Sequence, residues 1–193
     1  MILAFGHQSR VGKDTAARFA VQALEELGIP TVRRAFAEPL KAVCYFLYGH
    51  AGLLNADFYD TVPGARTVEV PLLGKTPVDT WIDVGQALRG VHPDTWVGWT
   101  MDKADRAWEE HQIVSVISDL RFVNEARAIT VRGGWCVKVE REEGQVLRSD
   151  QGIPADYPWE SVIKNDGSAR ELRQKVRALV ADFAKGVLRA GDR

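Results

Sequence analysis

The sequence predicts an α/β fold with a parallel, five-stranded sheet layered between helices, and three observations carry that prediction. Short runs rich in apolar and β-branched residues, such as "ILAFG", "IVSVI" and "GGWCVKVER", alternate along the chain with amphipathic stretches of helical period. That alternation implies a parallel sheet covered on both faces. The first apolar run passes through a polar loop containing Gly12 and Lys13 directly into a helical pattern. A chain of 193 residues without internal repeat or low-complexity tract is the size of one domain, able to bury about 70% of its unfolded surface.

The elements follow in order. Residues 2–6 read as a buried strand, and residues 13–27 as a helix with the stripe Ala16, Ala20, Ala23, Leu24 and Leu27, stopped by Gly28 and Pro30. A strand over about 31–36 leads into "AEPLKAVCYFLYG", a helix with Pro39 in its first turn, where a missing N–H costs nothing. Residues 51–75, with Gly, Pro and short polar residues, predict an irregular connection. Helices are expected near 76–90 and 94–110, the second carrying Val97, Met101, Ala104 and Trp108 on a core-facing stripe. "IVSVI", residues 113–117, is a strand ending at Ser118-Asp119, and a helix begins near Phe122. A fourth strand starts at about 135; residues 142–160 are polar and read as a surface excursion; a brief strand spans 161–163. Ser168 and Glu171 have capping-box spacing at the head of a final helix burying Leu172, Val176, Leu179, Phe183 and Val187.

Composition narrows the function. With 25 Lys+Arg against 26 Asp+Glu the net charge is -1, so the whole-chain field would not recruit DNA or RNA. Cys44 and Cys136 form no CxxC pair, which points away from a disulfide framework or zinc site and towards reduced thiols. No apolar run approaches the roughly 20 residues that span a bilayer, and no basic stretch precedes the first apolar segment. A cytoplasmic protein without membrane partner is expected. The four histidines are scattered, so any metal is expected to arrive with a ligand.

In a parallel sheet, ligands bind beyond the C-terminal strand ends. That rule gathers Gly6–Thr15, Phe36–Lys41, Asp119–Arg121 and the loop after residue 140 at one edge. Between a strand and a helix, successive backbone N–H groups and the helix dipole converge on an anion, and Lys13 there can reach terminal phosphates. The spacing departs from the usual phosphate loop: five residues separate Gly6 from Gly12, and Asp14 follows Lys13 where Ser or Thr is usual. Asp119 ends the most apolar strand, where a carboxylate can sit near a nucleotide's magnesium ion or cap the next helix. Arg121 can clamp an anion or form a surface ion pair. The roles of Gly6 and His7 stay open.

"GHQSRVGKDTAARF", "FAEPLK", "GQALRGVHPDTWV", "ISDLRFVNEA" and "VIKNDGSARELRQKV" occur in this order. Together they resemble the deoxynucleoside monophosphate kinase family known from bacteriophages, over nearly the whole chain. Dephospho-coenzyme A kinase and phosphomevalonate kinase share parts of the set. The resemblance implies a three-layer P-loop kinase over 1–193, with an acceptor-binding helical region at about 37–110 and a mobile lid at about 141–160. It implies transfer of the ATP γ-phosphoryl group to a deoxynucleoside monophosphate with Mg²⁺, in the host cytoplasm if the protein is viral; a homodimer is compatible with it. Gly12, Lys13 and Thr15 would hold the donor phosphates, with Thr15 placed as in loops ending Gly-Lys-Gly-Thr. Asp14 and Asp119 would lie by Mg²⁺, directly or through water. Phe36 would contact the acceptor base or sugar, Lys41 its phosphate, and Arg89 and Arg121 the acceptor and transferred groups. Arg141 and Arg148 are the lid residues placed to meet phosphates, or solvated surface. Asn165 would belong to a loop beside the donor adenine. An arginine that the family often carries just before "LQ" is missing from "VDTWIDVG".

Phosphoryl transfer needs in-line positioning and charge stabilisation rather than a nucleophilic side chain. Strand-end Lys and Arg without a Ser-His-Asp set suit that chemistry. Two other readings stay open: a P-loop kinase of another small phosphorylated metabolite, and a nucleotide-dependent switch or assembly module. The absence of an Asn-Lys-x-Asp stretch, and of the glycine of an Asp-x-x-Gly switch in "DLRF", weighs against the last.

Overall fold

A computed structural model describes residues 1–8, 10–142, 152–154 and 156–191. Among the described residues are five strands and seven α-helices. They group into two compact units, Met1–Ala35 with Thr100–Arg193, and Phe36–Trp99.

The first unit holds the whole sheet. Strand β1 (Ile2–Gly6) is followed by helix α1 (Lys13–Glu26) and strand β2 (Thr31–Arg34); β3 (Val114–Leu120), α6 (Val123–Thr130), β4 (Trp135–Glu140), β5 (Ser161–Lys164) and α7 (Ala169–Gly191) come from the later part of the chain. The strands lie in the order β2-β3-β1-β4-β5, every neighbouring pair parallel. This is the expected three-layer α/β arrangement. The all-apolar β1 is central and buried along its length, as a strand covered on both faces must be.

Helix α1 lays Ala16, Ala17, Ala20 and Ala23 against that core, and small side chains let its backbone come close. Leu27, placed by helical period on the same stripe, is 56% exposed, because α1 stops at Glu26 before the stripe completes another turn. Helix α7 buries Leu172, Val176, Leu179, Phe183 and Val187, as the spacing predicts. Its capping box is made: Ser168 N–H donates to Glu171 Oε2 at 3.0 Å, and Glu171 N–H to Ser168 Oγ at 3.3 Å.

Strand β3 runs past its expected end, to Leu120. Its register with β1 slips there, Ala4 pairing with Ile117 but Gly6 with Leu120, so β3 uses one residue more than β1 over the same span. A bulge therefore falls at Ser118-Asp119, where it re-aims side chains at the end of the strand.

In the second unit, α2 (Ala37–Tyr48) and α4 (Pro77–Val91) enclose a small core of Leu40, Cys44, Leu53, Tyr59, Val70 and Trp96. The segment expected to be irregular contains 3-10 turns at Gly49–Ala51 and Ala65–Thr67 and the short helix α3 (Ala56–Thr61). Asn55 Oδ1 accepts the Phe58 N–H at 3.1 Å to cap α3, and buried Tyr59 anchors it; a six-residue helix is too short to show an apolar period. Helix α5 comprises Thr95–His111, and Val97, Met101 and Ala104 are buried as expected. Both cysteines are free and buried, which pushes the thiols up to about 11 (Cys44) and about 12 (Cys136) and leaves them unreactive near neutral pH.

Candidate active site

The loop between β1 and α1 is built from left-handed backbone. His7, Arg10 and Gly12 all have positive φ, at 96°, 62° and 97°. Such conformations in non-glycine residues cost about 1–2 kcal/mol each, and left-handed residues of this kind are used to shape backbone concavities that suit an anion. Gly12 also occupies the N-cap of α1, where it can offer no side-chain oxygen to the first turn, and the positive end of the helix dipole faces the loop.

Inside this turn the Lys13 ammonium, on a residue only 6% exposed, donates to the carbonyl of His7 at 2.8 Å and to that of Gln8. Val11, fully buried, plants the loop in the main core. From the opposite direction the Asn165 amide Nδ2 donates to the Val11 carbonyl at 2.8 Å. A Cβ on Gly12 would lie 2.4 Å from that nitrogen, so a glycine is demanded twice, by φ and by space.

Gly6 has a different reason. A Cβ there would come within 2.8 Å of the Trp159 ring and 3.0 Å of the Leu120 carbonyl, so this glycine lets β1 pass beneath an aromatic cluster. His7 meets the Trp159 ring edge-on at 6.5 Å between centroids, and Tyr157 meets it at 5.2 Å.

Around the loop stand the other residues of this unit. Asp119, half-buried, lies at the β3 bulge beside the end of β1. Arg121 follows it, half-buried, and its backbone N–H and that of Phe122 donate to Glu125 Oε2 at 2.9 and 3.1 Å. Glu125 is 1% exposed and caps α6, fixing the strand-end turn that carries Arg121. Its position at the third residue of the helix was the available sequence signal. Asp14 is exposed and its carboxylate pairs with Arg33 at 3.0 Å. Thr15 is half-buried in the first turn of α1.

Arg141 is exposed and lines a cavity of about 250 Å³ with His7, Gln8, Glu140, Lys164 and Asp166. A hydrogen bond from Lys138, 2.8 Å away, holds the Glu140 carboxyl below the usual carboxylate range. Arg148 lies outside the described residues.

Phe36, Lys41 and Arg89 belong to the second unit. Phe36 is buried, at 3% exposure, and Arg89 is half-buried on α4. The Lys41 ammonium is 3.1 Å from Asp60 Oδ1 and lies over the Trp81 ring at 5.1 Å; Asp60 is also 3.9 Å from Arg66. Among the described residues no cluster of three His, Cys, Asp or Glu is arranged to hold a metal, and no helix is long and apolar enough to cross a membrane.

A central parallel strand feeding a loop with left-handed residues, a buried lysine and then a helix N-terminus is the geometry of an anion-binding turn in an α/β protein. No family model matches the sequence. Over 165 residues, covering 80% of each chain, it is 28% identical to a protein of Acanthamoeba polyphaga mimivirus called "Putative deoxynucleotide monophosphate kinase". Among solved structures, the shikimate kinase of Aquifex aeolicus aligns over 96% of this chain and 99% of its own, with a TM-score of 0.38 and 13% identity.

Proposed function

We propose that this chain is an ATP-dependent kinase of deoxynucleoside monophosphates, moving the ATP γ-phosphoryl group onto the acceptor's phosphate to yield the diphosphate and ADP. The observation that carries the reading is the buried Lys13 ammonium, held by the carbonyls of a left-handed loop at the end of the central strand. The ordered motifs and the name of the mimivirus relative support the choice of acceptor.

The acceptor is a phosphate monoester with a second pKa of about 6, so it is already an oxyanion at neutral pH and needs no general base. What must be overcome is repulsion between two polyanions. Gly12 and the first N–H groups of α1 receive the donor phosphates, Lys13 reaches their far end, and Arg121 and Arg141 offset charge on the transferring group. The donor nucleoside occupies the cavity beside Arg141. Lys41 and Arg89 bind the acceptor phosphate, and Phe36, at 3% exposure, meets its sugar or base only once its ring is uncovered.

The donor set suits Mg²⁺, a hard cation that takes one or two protein oxygens plus substrate phosphates. The Asp119 carboxylate and Thr15 hydroxyl would hold it, while Asp14, paired with Arg33, would act only through water. When bound, the ion supplies charge neutralisation on the β- and γ-phosphates.

The test incubates purified protein with ATP, Mg²⁺ and each deoxynucleoside monophosphate in turn. ADP and the matching diphosphate should form in equal amounts. ATP binding without turnover of any of these acceptors would overturn the assignment.

A further inference from the structure

We infer that Asn165 is a positioning residue of the phosphate loop, holding the Val11–Gly12 peptide so that the Gly12 N–H faces the bound polyphosphate, and that it does not read the donor base. The inference rests on the phosphate-loop reading proposed above.

Asn165 is 8% exposed and stands just beyond β5. Its backbone N–H donates to the Glu140 carbonyl at 2.8 Å, which fixes its Cα to the end of β4. Its side-chain Nδ2 spans 154 positions of sequence to reach the Val11 carbonyl at 2.8 Å. A trans peptide holds C=O and N–H antiparallel in one plane. Tying the Val11 carbonyl to Asn165 therefore turns the Gly12 N–H to the opposite side.

Two further constraints keep that plane from rotating. The Val11 side chain is fully buried in the core, and the amide nitrogen presses so closely on Gly12 that a Cβ there would be 2.4 Å away. A residue that recognised adenine would direct its amide into the cavity lined by His7, Arg141 and Lys164; Asn165 is not among that cavity's lining residues, and its donor is already committed to the loop. Deleting the donor leaves a buried carbonyl unsatisfied and lets the peptide turn, so the polyphosphate must order it on binding.

Asn165→Asp keeps the shape but sets an acceptor against the Val11 carbonyl, and Asn165→Ser shortens the reach. Both are titrated calorimetrically with ATP, GTP and inorganic tripolyphosphate beside wild type, with circular dichroism melts to identify any variant that does not fold. The expected result is that affinity for tripolyphosphate and for ATP falls by the same factor, roughly tenfold or more, with the ATP-to-GTP preference unchanged. In steady state, KM for ATP should rise with little change in KM for the acceptor. If the Asp variant does not fold, the Ser variant decides the matter. Loss of ATP affinity with tripolyphosphate binding intact would make Asn165 a base reader and overturn the inference, as would unchanged affinity for both. Tripolyphosphate binding requires no acceptor. A protein that binds it through Asn165 yet phosphorylates no deoxynucleoside monophosphate would sink the substrate assignment and leave this role standing.

Discussion

Gly12 concentrates the demands of the site in a residue with no side chain. Its φ of 97° is one that L side chains rarely adopt, and the Asn165 amide fills the space where a Cβ would go. Gly12→Ala should lower stability by about 1–3 kcal/mol, read as a smaller urea midpoint at unchanged slope, and should abolish phosphate binding. A variant with wild-type midpoint and affinity would show that the loop relaxes without consequence. The pair Gly12-Lys13 was visible in the sequence because both residues are adjacent and chemically unusual together. The bond from Asn165 was not, since a single amide 154 positions away leaves no periodic trace. The same holds for Arg33 on Asp14, which gives the residue after the lysine an ion-pair partner from β2.

At the scale of elements, local rules did well where they act within a turn or two. The Ser168–Glu171 capping box formed as its spacing required, because both partners lie three residues apart on the same helix. Ser168→Ala should remove one of its two bonds and lower stability by about 1 kcal/mol, or about 2–4 °C in melting temperature for a protein of this size. An unchanged melt would mean that packing of α7 alone sets its start. The β3 bulge lay beyond reach of the alternation rule, which counts side chains along one strand and says nothing of register against the next. It matters because it falls at Asp119, the carboxylate proposed above to meet the metal. Helix α3 was missed for a different reason: with Asn55 as its cap and Tyr59 as its anchor, it is held by two contacts rather than by a period.

At the scale of the whole molecule, the nearly balanced charge removes a general attraction for polyanions, so under the proposed function affinity for ATP has to come from the loop. Ligand binding to the native state alone stabilises it by mass action, about 2.7 kcal/mol at one hundred times Kd. For a chain of this length that is a rise of about 5–10 °C in melting temperature. ATP with Mg²⁺ should produce such a rise in the wild type and little or none in Lys13→Ala, which should still melt cooperatively without ligand, at a temperature lowered by the two loop carbonyls it leaves unpaired. An equal rise in both proteins would place the ATP site elsewhere.

By itself the sequence determined the five strands, the order in which strands and helices alternate, the loop at the end of β1 with Gly12 and Lys13, and the cap of α7. All of these depend on periodicity or on residues within a few positions of one another, and such information is written along the chain. Only the tertiary structure decided why Gly6 is a glycine, which residue fixes the Val11–Gly12 peptide, where β3 slips in register and which cation Asp14 meets. The register slip is a matter of backbone pairing between strands, and the others depend on one side chain arriving from a distant element at a distance of about 3 Å; sheet order and helix packing, not local propensity, set both.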